Sequence, residues 1–262
     1  MLHYFKLLLA QLRMSLLVSA QYRFDFVVDA VVEVVWTSTA LAPLLVVFGL
    51  RADVAGWSFG EALIVVGFFT LLQGLLEGLL NPSLVAMVEQ VRRGTFDYVL
   101  LLPVDAQVMV STGRFHFWRS INAFTALAMF GVAFHELGHP PSVSSILLAC
   151  VLFAAAALLL HAVWTLAMCS VFFGVKTDGV TDVLTAVLDG SRWPSSVFRG
   201  ATRVLLTFIV PLGLMTSVPA SALLGHVDTR TVGVALGEAL VFSLLARRVW
   251  GWSVARYTSA SN

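Results

Sequence analysis

The sequence predicts an all-α integral membrane protein with six transmembrane helices, an N-terminal amphipathic interfacial helix and a cytoplasmic loop after the second span. Three observations predict it. Of the 262 residues, 59% are hydrophobic and only 12% are charged, half the roughly 25% that coats an ordinary soluble domain. The apolar residues gather in separate runs of about 17 residues or more, the length that crosses about 30 Å of hydrocarbon. The basic residues divide very unevenly between the loops that join these runs.

Residues 1–24 form the interfacial helix. Phe5, Leu9, Leu12 and Leu16 share one face, and Lys6 and Arg13 lie about a quarter turn away, where they can reach the headgroups. Gln11 and Arg13 interrupt what would otherwise pass for a signal-peptide core, so no cleavage is expected at Val18-Ser19-Ala20. The spans follow at 27–50, 62–80, 118–134, 146–173, 204–224 and 232–250. Asp25, Asp29 and Glu33 recur every fourth residue at the start of the first span and share a face. In the second, Gln73 and Glu77 are one turn apart, and Gly74 and Gly78 have the small-xxx-small spacing of close helix packing. Pro211 and Pro219 bend or break the fifth, and Trp250 and Trp252 suit interfacial anchors at the end of the sixth.

Two polar stretches interrupt the apolar runs: residues 81–112, and the loop 176–203. Six spans place both on one side together with both termini. That side holds fourteen Lys and Arg residues and the other only Arg51 and Arg230. Basic-rich loops stay in the cytoplasm, so both termini and both polar stretches are expected there. The charge pattern has no basic cluster interleaved with aromatics, and nucleic acid is not an expected partner.

Catalytic signals are sparse. His135-Glu136-Leu137-Gly138-His139 has the H-E-x-x-H spacing of zinc proteases, and Leu188-Asp189-Gly190 adds a second point of similarity to intramembrane metalloproteases. In the predicted topology these segments lie on opposite faces of the membrane, while zinc ligands sit about 2 Å from the metal. Gly138 and Pro140-Pro141 also unwind the helix. Cys150 and Cys169 are about 28 Å apart along one helix, too far for a disulfide. The only lysines are Lys6 and Lys176 and neither follows a glycine, so no phosphate-binding G-x-x-x-x-G-K-[ST] loop exists. No cofactor is expected on this chain, and any ATP-driven work needs another subunit. Glu33, Gln73, Glu77 and Arg119 remain as intramembrane polar residues, either lining a cavity or pairing across helices. As free proton carriers, Glu33 and Glu77 would suit an ATP-independent transporter.

Val91–Pro103, VRRGTFDYVLLLP, is similar to the loop of type-2 ABC exporter permeases, which runs basic-Gly-x-hydrophobic-Asp and then through leucines to a proline. Arg192-Trp193-Pro194, Val197-Phe198, Phe208-Ile209-Val210-Pro211, Val218-Pro219 and Leu223-Leu224-Gly225 resemble that family's approach to the fifth span. The H-E-x-x-H match is no hallmark of it. The resemblance implies a permease subunit of the cytoplasmic (inner) membrane that forms a path with a second permease subunit, identical or related. It also implies separate ATPase subunits that carry ATP-Mg and engage a coupling loop. Mapped here, that element is Arg92, Arg93, Gly94, Asp97 and Pro103.

Overall fold

The computed structural model describes residues 9, 11, 13–17, 23–174, 178–197 and 211–257. Their regular elements are all helices, and no strands occur among them. Helix α1 spans Arg23–Leu50, and α2 runs unbroken from Phe59 to Arg92. Two short helices follow, α3 (Asp97–Leu100) and α4 (Ala106–Ser111). The remainder are α5 (Ile121–Leu137), α6 (Val143–Met168), α7 (Asp178–Gly190), α8 (Leu212–Leu223) and α9 (Thr229–Val254). A 3₁₀ turn at Phe117–Ser120 leads into α5, and another at Cys169–Phe173 extends α6.

Among the described residues three helices are long and apolar enough to cross a membrane: Phe59–Arg92, Phe117–Leu137 and Val143–Phe173. Val34–Leu50 and Leu214–Leu223 are shorter apolar stretches. These agree with the expected second, third and fourth spans and support an all-helical membrane protein of several spans. The expected sixth span lies in α9, which is long but carries Glu238, Arg247 and Arg248. The side chains of Asp25, Asp29 and Glu33 in α1 lie outside the described residues.

α2 organises the rest. Its start is a capping box: the Ser58 hydroxyl accepts from the Glu61 N–H, and the Glu61 carboxylate accepts from the Ser58 N–H at 2.7 Å. Glycines at 60, 67, 74 and 78 then form a seam on which α5 lies antiparallel. A Cβ at Gly67 would stand 2.4 Å from the Phe130 ring, and one at Gly74 2.8 Å from Asn122 Cβ. Without side chains the two backbones close to a separation that nothing larger permits.

The expected second span ends at Leu80. Here the helix continues for another three turns. The turn Leu76–Leu80 is π-helical, and Pro82, which lacks an N–H, cannot bond the Gly78 carbonyl four residues before it. That carbonyl instead accepts from the His116 N–H at 2.7 Å. The break is absorbed because a distant backbone donor satisfies the released acceptor. At 1.5 Å per residue α2 is about 51 Å long, so it outruns about 30 Å of hydrocarbon. We call its two ends the Trp57 end and the Arg93 end.

The expected cytoplasmic loop 176–203 is corrected more deeply. The chain leaves Phe172 and Phe173 at the Arg93 end, where Phe172 lies 5.6 Å from the Phe96 ring, and α7 then climbs into the bundle. Leu188 and Ser191 are buried, and the Thr216 hydroxyl donates to the Ser191 carbonyl at 2.8 Å. Five residues on, the Ser196 hydroxyl receives the Trp57 indole N–H at 3.1 Å. Residues 178–197 therefore traverse the bundle. Arg192 sits inside it, 4.7 Å over the Phe69 ring and 3.0 Å from the Asp189 carboxylate, so it no longer counts with the basic residues of the Arg93 end. Its charge is tolerable there because a carboxylate and an aromatic face accompany it.

The expected fifth span, 204–224, is described only from Pro211. α8 is about 18 Å long at 12 residues, too short to cross alone, and begins beside Ser191 in the middle of the bundle. Residues 204–210, with Arg199 and Arg203, lie outside the described residues.

Candidate functional site: a loop platform at the Arg93 end

The platform comprises the turn after α2, the helices α3 and α4, and the ends of α6 and α9 beneath them. α2 stops at Gly94, whose φ of 67° is the left-handed conformation that glycine adopts without strain. The Thr95 N–H bonds the Gln90 carbonyl at 2.9 Å and the Gly94 N–H bonds that of Val91 at 3.2 Å, the reciprocal pair of a Schellman stop. Gly94 thus has a structural reason to be in the motif.

Reversing the chain at Gly94 drives Phe96 inward. It is fully buried, against Phe172 at 5.6 Å, Tyr257 at 5.6 Å and Trp250 at 6.2 Å, all edge-on. Each such aromatic pair contributes about 0.5–1.5 kcal/mol beyond its buried area. Val99, one turn later, is also buried. The loop is pinned by these two side chains to the C-terminal ends of α6 and α9.

A second tie is ionic. Asp105 caps α4 by accepting from the N–H groups of Gln107 and Val108, and its carboxylate pairs with Arg247 of α9. Arg247 also donates to Gln107 Oε1 at 2.9 Å. The Arg247 hydrogen bond holds the Asp105 carboxyl below the usual carboxylate range, with the α4 N–H groups assisting. The N-terminal helical segment completes the frame. The Gln11 amide donates to Met109 sulfur at 3.3 Å and accepts from the Thr112 hydroxyl at 3.0 Å. The Phe115 N–H donates to the Ser15 hydroxyl at 3.2 Å.

What these anchors leave outside is a rim of two chemistries. Arg92, Arg93 and Thr95 are exposed on one side, and Tyr98, Leu101, Leu102 and Pro103 on the other, with Tyr98 73% and Leu101 79% accessible. Arg93 pairs with Glu89 across one turn at 2.5 Å, an exposed bond of small energy. Of the five residues singled out in the sequence, Arg92, Arg93 and Pro103 are on this rim, and Gly94 makes the turn behind it. Asp97 is half-buried. Its negative charge, after burial, raises the Tyr257 hydroxyl above its ordinary range. Phe96, Asp105, Arg247 and Tyr257 were missed by the sequence reading. A single aromatic between the basic-Gly turn and the aspartate is the one local signal of the anchor. Trp252 is half-exposed under the Arg256 guanidinium at 4.3 Å, as an interfacial anchor should be. Trp250 instead is buried in the aromatic cluster.

The intramembrane polar residues come together. The Gln73 amide donates to Glu77 at 2.9 Å, and Arg119 Nη1 lies 3.0 Å from the other Glu77 oxygen, close enough to pair charges though off the line of a hydrogen bond. The pair sits on the π turn of α2 and fixes the start of α5. Glu33 lies outside the described side chains. His161 shares a 2.8 Å hydrogen bond with Ser111 and so ties α6 to α4.

The H-E-x-x-H segment does not form a helical pair. His135 is in the last turn of α5, Gly138 ends that helix at φ 75°, and His139 lies beyond it. Asp189 is in the last turn of α7, half-exposed, and Arg192 engages it. Among the described residues no group of three His, Cys, Asp or Glu side chains could hold a metal ion.

No curated protein and no solved structure matches the chain. A family model does, over residues 34–261: that of the ABC-2 family transporter proteins. Its membrane subunits are non-catalytic permeases that associate with separate ABC ATPase subunits. With its long apolar helices and without a phosphate-binding lysine loop, this chain belongs to the ABC-2 transporter family as a permease subunit.

Proposed function

We propose that the chain is the permease of an ATP-driven exporter, with the Arg93 end in the cytoplasm and the platform rim as the surface its ATPase engages. The observation that carries this is the rim itself: exposed arginines beside exposed Tyr98, Leu101 and Pro103, on a loop whose other face is locked by Phe96 and Val99. Arginine and tyrosine are favoured residues at protein interfaces. A loop fastened to the ends of α2, α6 and α9 can pass on a partner's rigid-body movement rather than absorb it.

The charge distribution supports the orientation. Arg13, Arg92, Arg93, Arg114, Arg119, Arg247, Arg248 and Arg256 gather toward the Arg93 end, against Arg51 and Arg230 toward the Trp57 end. Both terminal segments reach the Arg93 end, through Gln11 and Tyr257. A multi-pass placement in a cytoplasmic (inner) membrane follows, with both termini cytoplasmic. The first, fifth and sixth crossings would be made by α1, by residues 178–197 and by α9. The path would form between this chain and a second permease subunit, with ATP-Mg on the ATPases and lipids as the remaining partners.

The test is co-purification. The complex with its ATPase should lose ATPase binding, or hydrolyse ATP without transport, when Tyr98 and Leu101 become serine. An unchanged complex with coupled hydrolysis would reject the rim as the docking surface.

A further inference from the structure

Consecutive membrane helices usually pack on each other, yet α5 and α6 do not do so here. α5 lies on the glycine seam of α2, while α6 packs against α8 and α9, and a groove floored by α2 is left between them. Toward the Trp57 end it is a cleft of about 400 Å³ whose walls, including Phe130, Phe134 and Ile146, are wholly apolar. Toward the Arg93 end it continues past Leu71 and Phe153, which line both parts, into a second cleft of about 330 Å³ beside Gly74 and Gly78. This part ends on His116 and Arg119. From Arg119 to Phe134 the groove is roughly 22 Å long at 1.5 Å per residue, more than the half-thickness of about 30 Å of hydrocarbon that one acyl chain covers.

We infer that this groove holds one anionic phospholipid from the leaflet at the Arg93 end, with an acyl chain along the floor of α2 and the phosphate beside His116 and Arg119. Depth supports the assignment. Gly78 lies about 28 Å along α2 from Phe59, close to one hydrocarbon thickness, so His116 and Arg119 stand at the headgroup boundary. Phe115, Phe117 and Trp118 form an aromatic belt at the same level. Charge supports it as well. His116 and Arg119 line the cleft, where Arg119 engages the Glu77 carboxylate, and exposed Arg114, two residues before His116, adds a second guanidinium to the same turn. An apolar trough with basic side chains at only one end has the layout of an amphiphile.

The test is native mass spectrometry of the detergent-purified chain, titrated with phosphatidylglycerol and with phosphatidylcholine of the same acyl chains. The wild type should hold one phosphatidylglycerol at a concentration at least fivefold below that needed for phosphatidylcholine. The double variant Arg114→Gln/His116→Gln should abolish that preference. Gly131 lines the apolar part, and a Cβ there meets nothing within 4 Å, so Gly131→Leu fills the trough without disturbing the fold and should weaken retention of both lipids. Equal retention of the two lipids by the wild type overturns the inference, as does a preference that survives the double variant. A Gly131→Leu chain that keeps its lipid but loses a dimeric species overturns it too, because a second copy then occupies the groove.

Discussion

Two charged, turn-rich stretches interrupt the apolar sequence, and the fold treats them oppositely. Residues 89–107 stay at the surface of the Arg93 end with their charges turned outward and Phe96 turned in. Residues 178–197 carry comparable charge, yet they run through the bundle from the Arg93 end to Trp57. The difference is where each charge finds a partner. Arg93 pairs with Glu89 one turn away on an exposed face, which requires no other part of the chain. Arg192 pairs with Asp189 and also rests on Phe69, which ties the turn after α7 to α2. Polarity in a membrane sequence therefore marks a loop only when its charges have no way to be matched inside.

The largest expected effect breaks or keeps this contrast outright. With Cys150 replaced by serine and Cys169 buried, an impermeant maleimide should modify Tyr98→Cys and Ser196→Cys from opposite faces of oriented membrane vesicles. Labelling of both from one face would return residues 178–197 to a loop. Next in size is Phe96→Ala. Removing a fully buried aromatic costs about 3–5 kcal/mol, and it should free the platform, seen as a lower thermal midpoint and protease cleavage between Arg92 and Asp105. A cleavage pattern like the wild type would mean that Asp105–Arg247 holds the loop without the aromatic cluster.

Arg192→Ala should cost about 1–2 kcal/mol, below the full value for a buried pair because Asp189 is half-exposed. Asp189→Asn in the same chain should recover part of it, which a thermal double-mutant cycle would read. Arg192 and Asp189 effects that simply add would show that the two do not depend on each other.

The smallest effect concerns Asp105. Its folded carboxyl titrates below its ordinary value, so the unfolded chain takes up the proton first as pH falls. The pair's stabilisation is complete above the ordinary carboxylate range and is lost as pH drops through the lowered folded value. Exposed at Arg247, it amounts to about 0.2–1 kcal/mol. The stability gap between wild type and Arg247→Gln should shrink between pH 7 and pH 3. A constant gap would give Arg247 a packing role instead.

Part of the platform was legible in the sequence. Arg92-Arg93-Gly94 and Pro103 could be read as a turn because charge, glycine and proline act locally, through hydration and allowed φ. Phe96 could not be singled out, because its importance comes from Phe172, Trp250 and Tyr257, which are distant in sequence. The proximity of Asp97 to Tyr257 could not be read either, because it is known only from the fold.

The sequence by itself determined the membrane class, the second to fourth spans, the absence of a phosphate-binding lysine loop and the place of the platform. Each follows from composition, run length or residue chemistry, which need no knowledge of neighbours. Only the tertiary structure decided that α2 survives Pro82, that residues 178–197 enter the bundle, and that Glu77 pairs with Arg119. In each case a polar group that looks unsatisfied in its own segment is satisfied by a partner from another helix. In a medium without water, that partner decides whether a segment stays inside.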